Sequence, residues 1–221
     1  AACGKLFSTL FDVPYFQAMA VSAVIIVAYT ALGGFSAAST TDLIQSIVMT
    51  VALICVVLFG IRTVGGAGLV VSQAGELPGY LSLTSVYNDG AAAEYGAVKI
   101  VSTFAWGLGY FGMPHILLRF MAIRDESEIA LSRRIATTWV VISMGVAIFI
   151  GIMGYSLSKG GAVETLVGAD SEKLIIVIAT LMSKTGALGI MIAGLIMSGI
   201  LACTMSTADS QLLAASSSIS E

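Results

Sequence analysis

Residues 203 to 211 read Cys203-Thr204-Met205-Ser206-Thr207-Ala208-Asp209-Ser210-Gln211. The 24 residues from Thr185 to Ala208 carry no charge. As a helix that run measures ~36 Å, enough to cross ~30 Å of hydrocarbon. Ser206, Asp209 and Ser210 fall at i, i+3 and i+4 and share a face, and the carbonyl of Cys203 lies one turn before Thr207. Oxygen atoms gathered at membrane depth suit a hard cation that sheds water, such as Na⁺, by the same preference that governs Ca²⁺ and Mg²⁺. The plainer roles are hydroxyls bonded one turn back to the backbone and Asp209 as a solvated acid at the inner membrane edge. A second carboxylate, Asp42, follows Ser39-Thr40-Thr41. It sits either in the first turn of a capped helix or along an ion route from the cytoplasmic side. Two carboxylates brought together repel unless a cation lies between them.

A second chemical centre is Ala105-Trp106-Gly107-Leu108-Gly109-Tyr110-Phe111-Gly112-Met113-Pro114-His115. Proline removes an N–H and clashes with the preceding turn, and glycine admits unusual backbone angles. Irregular backbone inside a membrane is tolerated only against protein or a water-filled cavity. Interrupted helices there form the solute sites of transporters. Trp106, Tyr110 and Pro114, at i, i+4 and i+8, would line one face and offer an apolar wall with a phenol. The competing explanation is close helix packing through small residues. His115, the chain's one histidine, reads as a proton relay or as a hydrogen-bonded residue near a turn. No nucleophile pairs with a base at a useful spacing, so an intramembrane enzyme is disfavoured.

The elements that carry these residues are apolar. Of 221 residues 57% are hydrophobic and 10% charged, against about 25% charged in soluble domains; mean hydropathy is +0.99. The fold class is therefore all-α integral membrane, with the lipid bilayer as solvent. Nucleic acid is excluded as a partner by the lack of a basic cluster. Cys3, Cys55 and Cys203 show no metal spacing and read as small core residues. Five spans are expected, at 14–34, 42–63, 97–121, 133–157 and 186–215, with a short outer helix at 172–183. Arg119, Arg124, Arg133 and Arg134 place loop 122–132 in the cytoplasm. Loop 65–96 lacks Lys and Arg and carries Glu76, Asp89 and Glu94; it is expected outside, either partly helical or a flexible lid. The N-terminus is then outside and the C-terminal end inside. Ala1 to Lys5 show no leader pattern, and both ends read as cuts through a longer protein.

Several stretches together carry a resemblance. They are Tyr29-Thr-Ala-Leu-Gly-Gly-Phe35, Thr41-Asp42 with Gln45, Ala105 to Ala122, Arg133-Arg134-Ile135 with Thr138-Trp139, and Met205-Ser206-Thr207 with Gln211-Leu212-Leu213. In this order they resemble the sodium:solute symporter family, and within it the sodium/proline symporters, over nearly the whole chain. The resemblance implies a ten-helix inverted repeat of the LeuT-like type. The five spans would be the last two core helices of the first repeat and the first three of the second. It implies no cofactor, Na⁺ as coupling ion and L-proline as solute, with pantothenate, a monocarboxylate or a sugar as alternatives. The Cys203 carbonyl and the hydroxyls of Ser206 and Thr207 match the family's main sodium ligands. Trp106, Tyr110 and Pro114 match positions associated with proline binding. Asp42, Asp209 and Ser210 match a second cation site or ion route. Three departures stand out: Cys203 where the family more often has Ala, Asp209 where others carry Ser, and Met113 in place of a commoner Gln.

Overall fold

The computed structural model describes residues 4, 8, 12–88, 90–110 and 112–220, except the side chain of residue 169. Cys3, Asp89 and Phe111, all named above, lie outside the described residues, as does the Ala1 to Lys5 stretch apart from Gly4. The chain forms α1 (Tyr15–Val64), α2 (Ala67–Gly75), strands β1 (Ser85–Asn88) and β2 (Ala91–Glu94), α3 (Ala97–Tyr110), α4 (Pro114–Met121), α5 (Ile129–Lys159), α6 (Leu174–Ser183) and α7 (Ala187–Ser220). Short 3₁₀ turns, Glu126–Glu128 and Gly168–Lys173, precede α5 and α6.

Among the described residues three helices are long and apolar enough to cross a bilayer: Tyr15–Val64, Glu126–Lys159 as one run with its leading turn, and Ala187–Ser220. The expected spans 14–34 and 42–63 both fall within the 50-residue α1, which is two helices joined across a kink at Gly34, where the first span was expected to close. A straight helix of that length measures ~75 Å, far more than a bilayer needs. Gly34 interrupts it, with φ 58° and ψ −161°, a region essentially closed to residues with a Cβ. The expected span 97–121 is cut in two: α3 stops after 14 residues at Tyr110, and α4 starts at Pro114 and runs for 8. Met113 is extended, and Pro114 takes the first helical position, where its fixed φ and missing N–H cost nothing.

The chain divides into two compact units. Residues 56–174 make one of them. In it α2 packs on α5, with Val70 and Ala74 buried on α2 and Ile150, Met153 and Leu157 buried on α5. Glycines make the close approaches: a Cβ at Gly60 would fall on the Met153 thioether, and one at Gly154 on Leu174. Glu76 and Lys159 form an exposed ion pair. The segment 65–96, which the sequence leaves open, thus holds a packed helix followed by a hairpin. The hairpin pairs Ser85 with Glu94 and Asn88 with Ala91. Gly90 has φ 90°, a conformation that glycine supplies at a tight hairpin turn. Before α5, an Asp125 carboxylate oxygen accepts from the Ser127 N–H at 2.9 Å. This cap starts helical structure ahead of the expected residue 133, so Arg133 and Arg134 are exposed in the early turns of α5. The first half of α5 leaves Ile135, Val141, Ile142 and Met144 exposed, which suits a hydrocarbon solvent.

The second unit comprises residues 1–55 and 175–221. Here α6 turns tightly into α7. Gly186 has φ 111°, the Thr185 N–H donates to the Met182 carbonyl at 2.9 Å, and a Cβ at Gly189 would fall within 2.2 Å of that carbonyl oxygen. Further along α7, Gly199 lies against α1: a Cβ there would be 3.0 Å from Ala52 Cβ and 3.7 Å from Met49 Cα. The missing side chain is what lets the two backbones approach.

Candidate ion and solute sites

The oxygen atoms singled out on α7 are brought together by the helix itself. Ser206 Oγ donates to the Cys203 carbonyl at 3.0 Å, and Thr207 Oγ1 donates to the same carbonyl at 3.2 Å. Three oxygens from residues 203, 206 and 207 thus form one cluster. The back-bonding expected of helical hydroxyls and a preassembled oxygen cluster are here the same geometry. A hydroxyl that gave up its bond to this carbonyl could turn a lone pair outward with no backbone movement. Thr207 and Cys203 are exposed, and Ser206 is half-buried. The expectation that Cys203 is a core residue is therefore corrected: its side chain faces outward, and only its carbonyl joins the cluster.

The next turn behaves differently. Ser210 Oγ donates to the Ser206 carbonyl at 2.8 Å. Asp209 is fully buried, at 0% exposure. Of the two readings of Asp209, this goes against the plainer one, a solvated acid at the membrane edge. Its Oδ2 accepts a hydrogen bond from the Tyr29 hydroxyl of α1 at 2.8 Å, whereas Oδ1 is buried with no hydrogen-bond partner.

Asp42 also differs from its plainer expectation. Helix continues unbroken from residue 35 to Val64, so Asp42 lies about two turns inside a helix rather than at a capped start. Its Oδ1 is buried, and its charge acts on the Tyr29 hydroxyl. Thr30 and Gln45, at 3% and 8% exposure, add two more buried oxygens on α1. Sequence reasoning did not single out Tyr29, Thr30 or Gln45 as site members. The available signal was a polar aromatic inside an apolar run, one turn before Gly33-Gly34. Among the described residues no group of three His, Cys, Asp or Glu side chains is positioned to hold a metal.

Trp106 and Tyr110 sit on the last two turns of α3, and Pro114 begins α4. The stripe at i, i+4 and i+8 therefore does not continue as one helical face, because the backbone breaks between its second and third members. Trp106 and Tyr110 are 79% and 56% exposed, and Pro114 is exposed too.

The model of the sodium:solute symporter family matches residues 1–221. The chain belongs to the sodium:solute symporter family. Sodium/proline symporters of Staphylococcus aureus strains USA300 / TCH1516 and Newman are each 32% identical to it over 218 residues, covering 99% of this chain. The chain spans 40% of the length of those curated relatives. No solved structure matches. As a member of a symporter family with long apolar helices, it is a multi-pass membrane protein.

Proposed function

We propose that the complete protein is a secondary active transporter that couples Na⁺ entry to L-proline uptake by alternating access, on a LeuT-like inverted repeat of ten core helices. The observation that carries this reading is the cluster of the Cys203 carbonyl with the Ser206 and Thr207 hydroxyls, two bonds of 3.0 and 3.2 Å to one oxygen. It lies inside an uncharged span that can cross a bilayer. Na⁺ is cargo here, bound by these three oxygens and by ligands from other helices. Asp42, Asp209 and Ser210 serve a second cation or the route to it.

The interrupted stretch between Tyr110 and Pro114 serves the solute. Helix starts favour anionic groups, which suits an amino-acid carboxylate at the start of α4, while Trp106 and Tyr110 supply apolar rings for the pyrrolidine. Sodium and proline binding are reciprocal, each raising affinity for the other by the same factor. A second reading keeps the mechanism and changes the solute to pantothenate, a monocarboxylate or a sugar. Met113, beside the break, is the residue that favours it. The resemblance to transporters, rather than any catalytic arrangement, assigns the chain to transport.

The test is uptake of labelled proline by the complete protein in proteoliposomes, with and without an inward sodium gradient, against a panel of competitors. Sodium-dependent uptake displaced by proline alone supports the reading. Displacement by a different solute would move the assignment to that solute, and uptake indifferent to sodium would end the coupling proposal.

A further inference from the structure

Asp209 is the most deeply buried acid among the described residues, in a helix that can span a bilayer. Its two oxygens are treated unequally. Oδ2 takes the Tyr29 hydroxyl at 2.8 Å, and Oδ1 is sealed from solvent with no partner. An unpartnered buried carboxylate oxygen is costly anywhere, and more so at membrane depth. Such a group persists where something else satisfies it. Nearby on α1, Thr30, which adjoins Tyr29, is also buried, and its hydroxyl acts on that of Tyr29. The groups from α1 that act on the Tyr29 hydroxyl are Thr30 and Asp42. Among the described residues, the side chains acting on the Tyr29 hydroxyl include no cation.

The tie is long-range, joining residues 180 positions apart, and it depends on the shape of α1. Gly199 lies against Met49 and Ala52, and Asp209 against Tyr29. Residues 199 and 209 are ~15 Å apart along α7, whereas Tyr29 and Met49 would be ~30 Å apart on a straight helix. The break at Gly34 takes up the difference.

We propose that Tyr29 is a positioning residue for cation binding: its hydroxyl occupies Oδ2 of Asp209 and so holds Oδ1 ready as a cation ligand within a turn of Ser206 and Thr207. A carboxylate free to rotate presents either oxygen and loses that freedom on binding, whereas one already fixed loses little. A neutral phenol orients the group without cancelling its charge. This is how outer-shell partners tune metal ligands. The inference rests on the reading of Cys203, Ser206 and Thr207 as sodium ligands.

The experiment is a sodium titration of the complete protein, read two ways: half-saturating sodium for solute uptake, and the sodium-induced change of intrinsic fluorescence in detergent without solute. Tyr29→Phe keeps the ring and removes the tie. It should raise half-saturating sodium about tenfold, the low end for loss of an outer-shell partner, with maximal uptake per molecule kept. Half-saturation does not depend on how much protein reaches the membrane, so reduced abundance leaves the measurement valid. On an Asp209→Asn background, Tyr29→Phe should add no further shift, since the carboxylate it orients is gone. Unchanged sodium dependence in Tyr29→Phe, or a full additive shift in the double variant, overturns the proposal and leaves the bond as helix packing or Oδ1 as a water site. If Ser206→Ala and Thr207→Ala also leave sodium dependence unmoved, the underlying site reading fails instead.

Discussion

Removing one hydroxyl from the α7 cluster should weaken sodium binding by a predictable amount. In Ser206→Ala the Cys203 carbonyl loses one donor but keeps the Thr207 hydroxyl at 3.2 Å. The cation-free helix therefore loses about 1 kcal/mol, the net worth of one ordinary hydrogen bond. The cation-bound form loses an oxygen facing a charge, worth about 2–3 kcal/mol. Because the hydroxyl must give up its bond to the carbonyl when the ion binds, the two terms subtract. The net loss is about 1–2 kcal/mol, or roughly 5- to 30-fold in half-saturating sodium. Thr207→Ala should behave alike, and Thr207→Ser, which keeps the oxygen, should stay close to the parent. The assay is uptake of labelled solute by the complete protein across a sodium series, with the solute saturating. Sodium dependence unmoved in both alanine variants would refute the argument, because then neither hydroxyl changes partner on binding.

Other expectations follow from particular contacts. Trp106→Ala and Tyr110→Ala should weaken proline binding several-fold at saturating sodium, measured by equilibrium binding; parental affinity would refute their place in the solute site. Gly34→Ala forces a Cβ into φ 58°, ψ −161°, at a cost of about 1–3 kcal/mol, so the melting temperature in detergent should fall. Because the break also sets the reach of Tyr29 to Asp209, half-saturating sodium should rise with it. Gly189→Ala meets a backbone oxygen at 2.2 Å, whereas Gly154→Ala meets the branched end of Leu174; thermal stability should drop more in the former, because a backbone carbonyl cannot swing aside. Lys159→Ala removes an ion pair whose side chains are 38% and 58% exposed, and the melting temperature should stay close to the parent's, since such pairs are screened by water and salt.

Much of this protein is local and was readable along the chain. Membrane residence follows from composition, because long uncharged runs have no other good solvent. The interruption near Tyr110 and Pro114 follows from glycines and a proline within eight positions, each acting on its own backbone. Clustering of the Cys203, Ser206 and Thr207 oxygens follows from the helical period alone. For Asp42 the same local reasoning offered a helix start beside an ion route, and the first fails, because Ser39-Thr40-Thr41-Asp42 has the composition of a helix start while the surrounding helix runs straight through it. For Asp209 it left two readings open, a solvated acid at the membrane edge and a cation ligand, because the helical period does not say what lies opposite that face.

Periodicity along one helix says which residues share a face but not what lies opposite that face. Partnership across 180 residues depends on where α1 breaks and on which glycines admit a neighbouring backbone. Those are sums of many small packing energies spread over both helices, with no single residue announcing them. The sequence alone therefore determined a membrane protein with a ready-made oxygen cluster on one helix. Only the tertiary structure decided that Asp209 turns inward to meet Tyr29, because the bend at Gly34 and the close approach at Gly199 together bring α1 alongside that face.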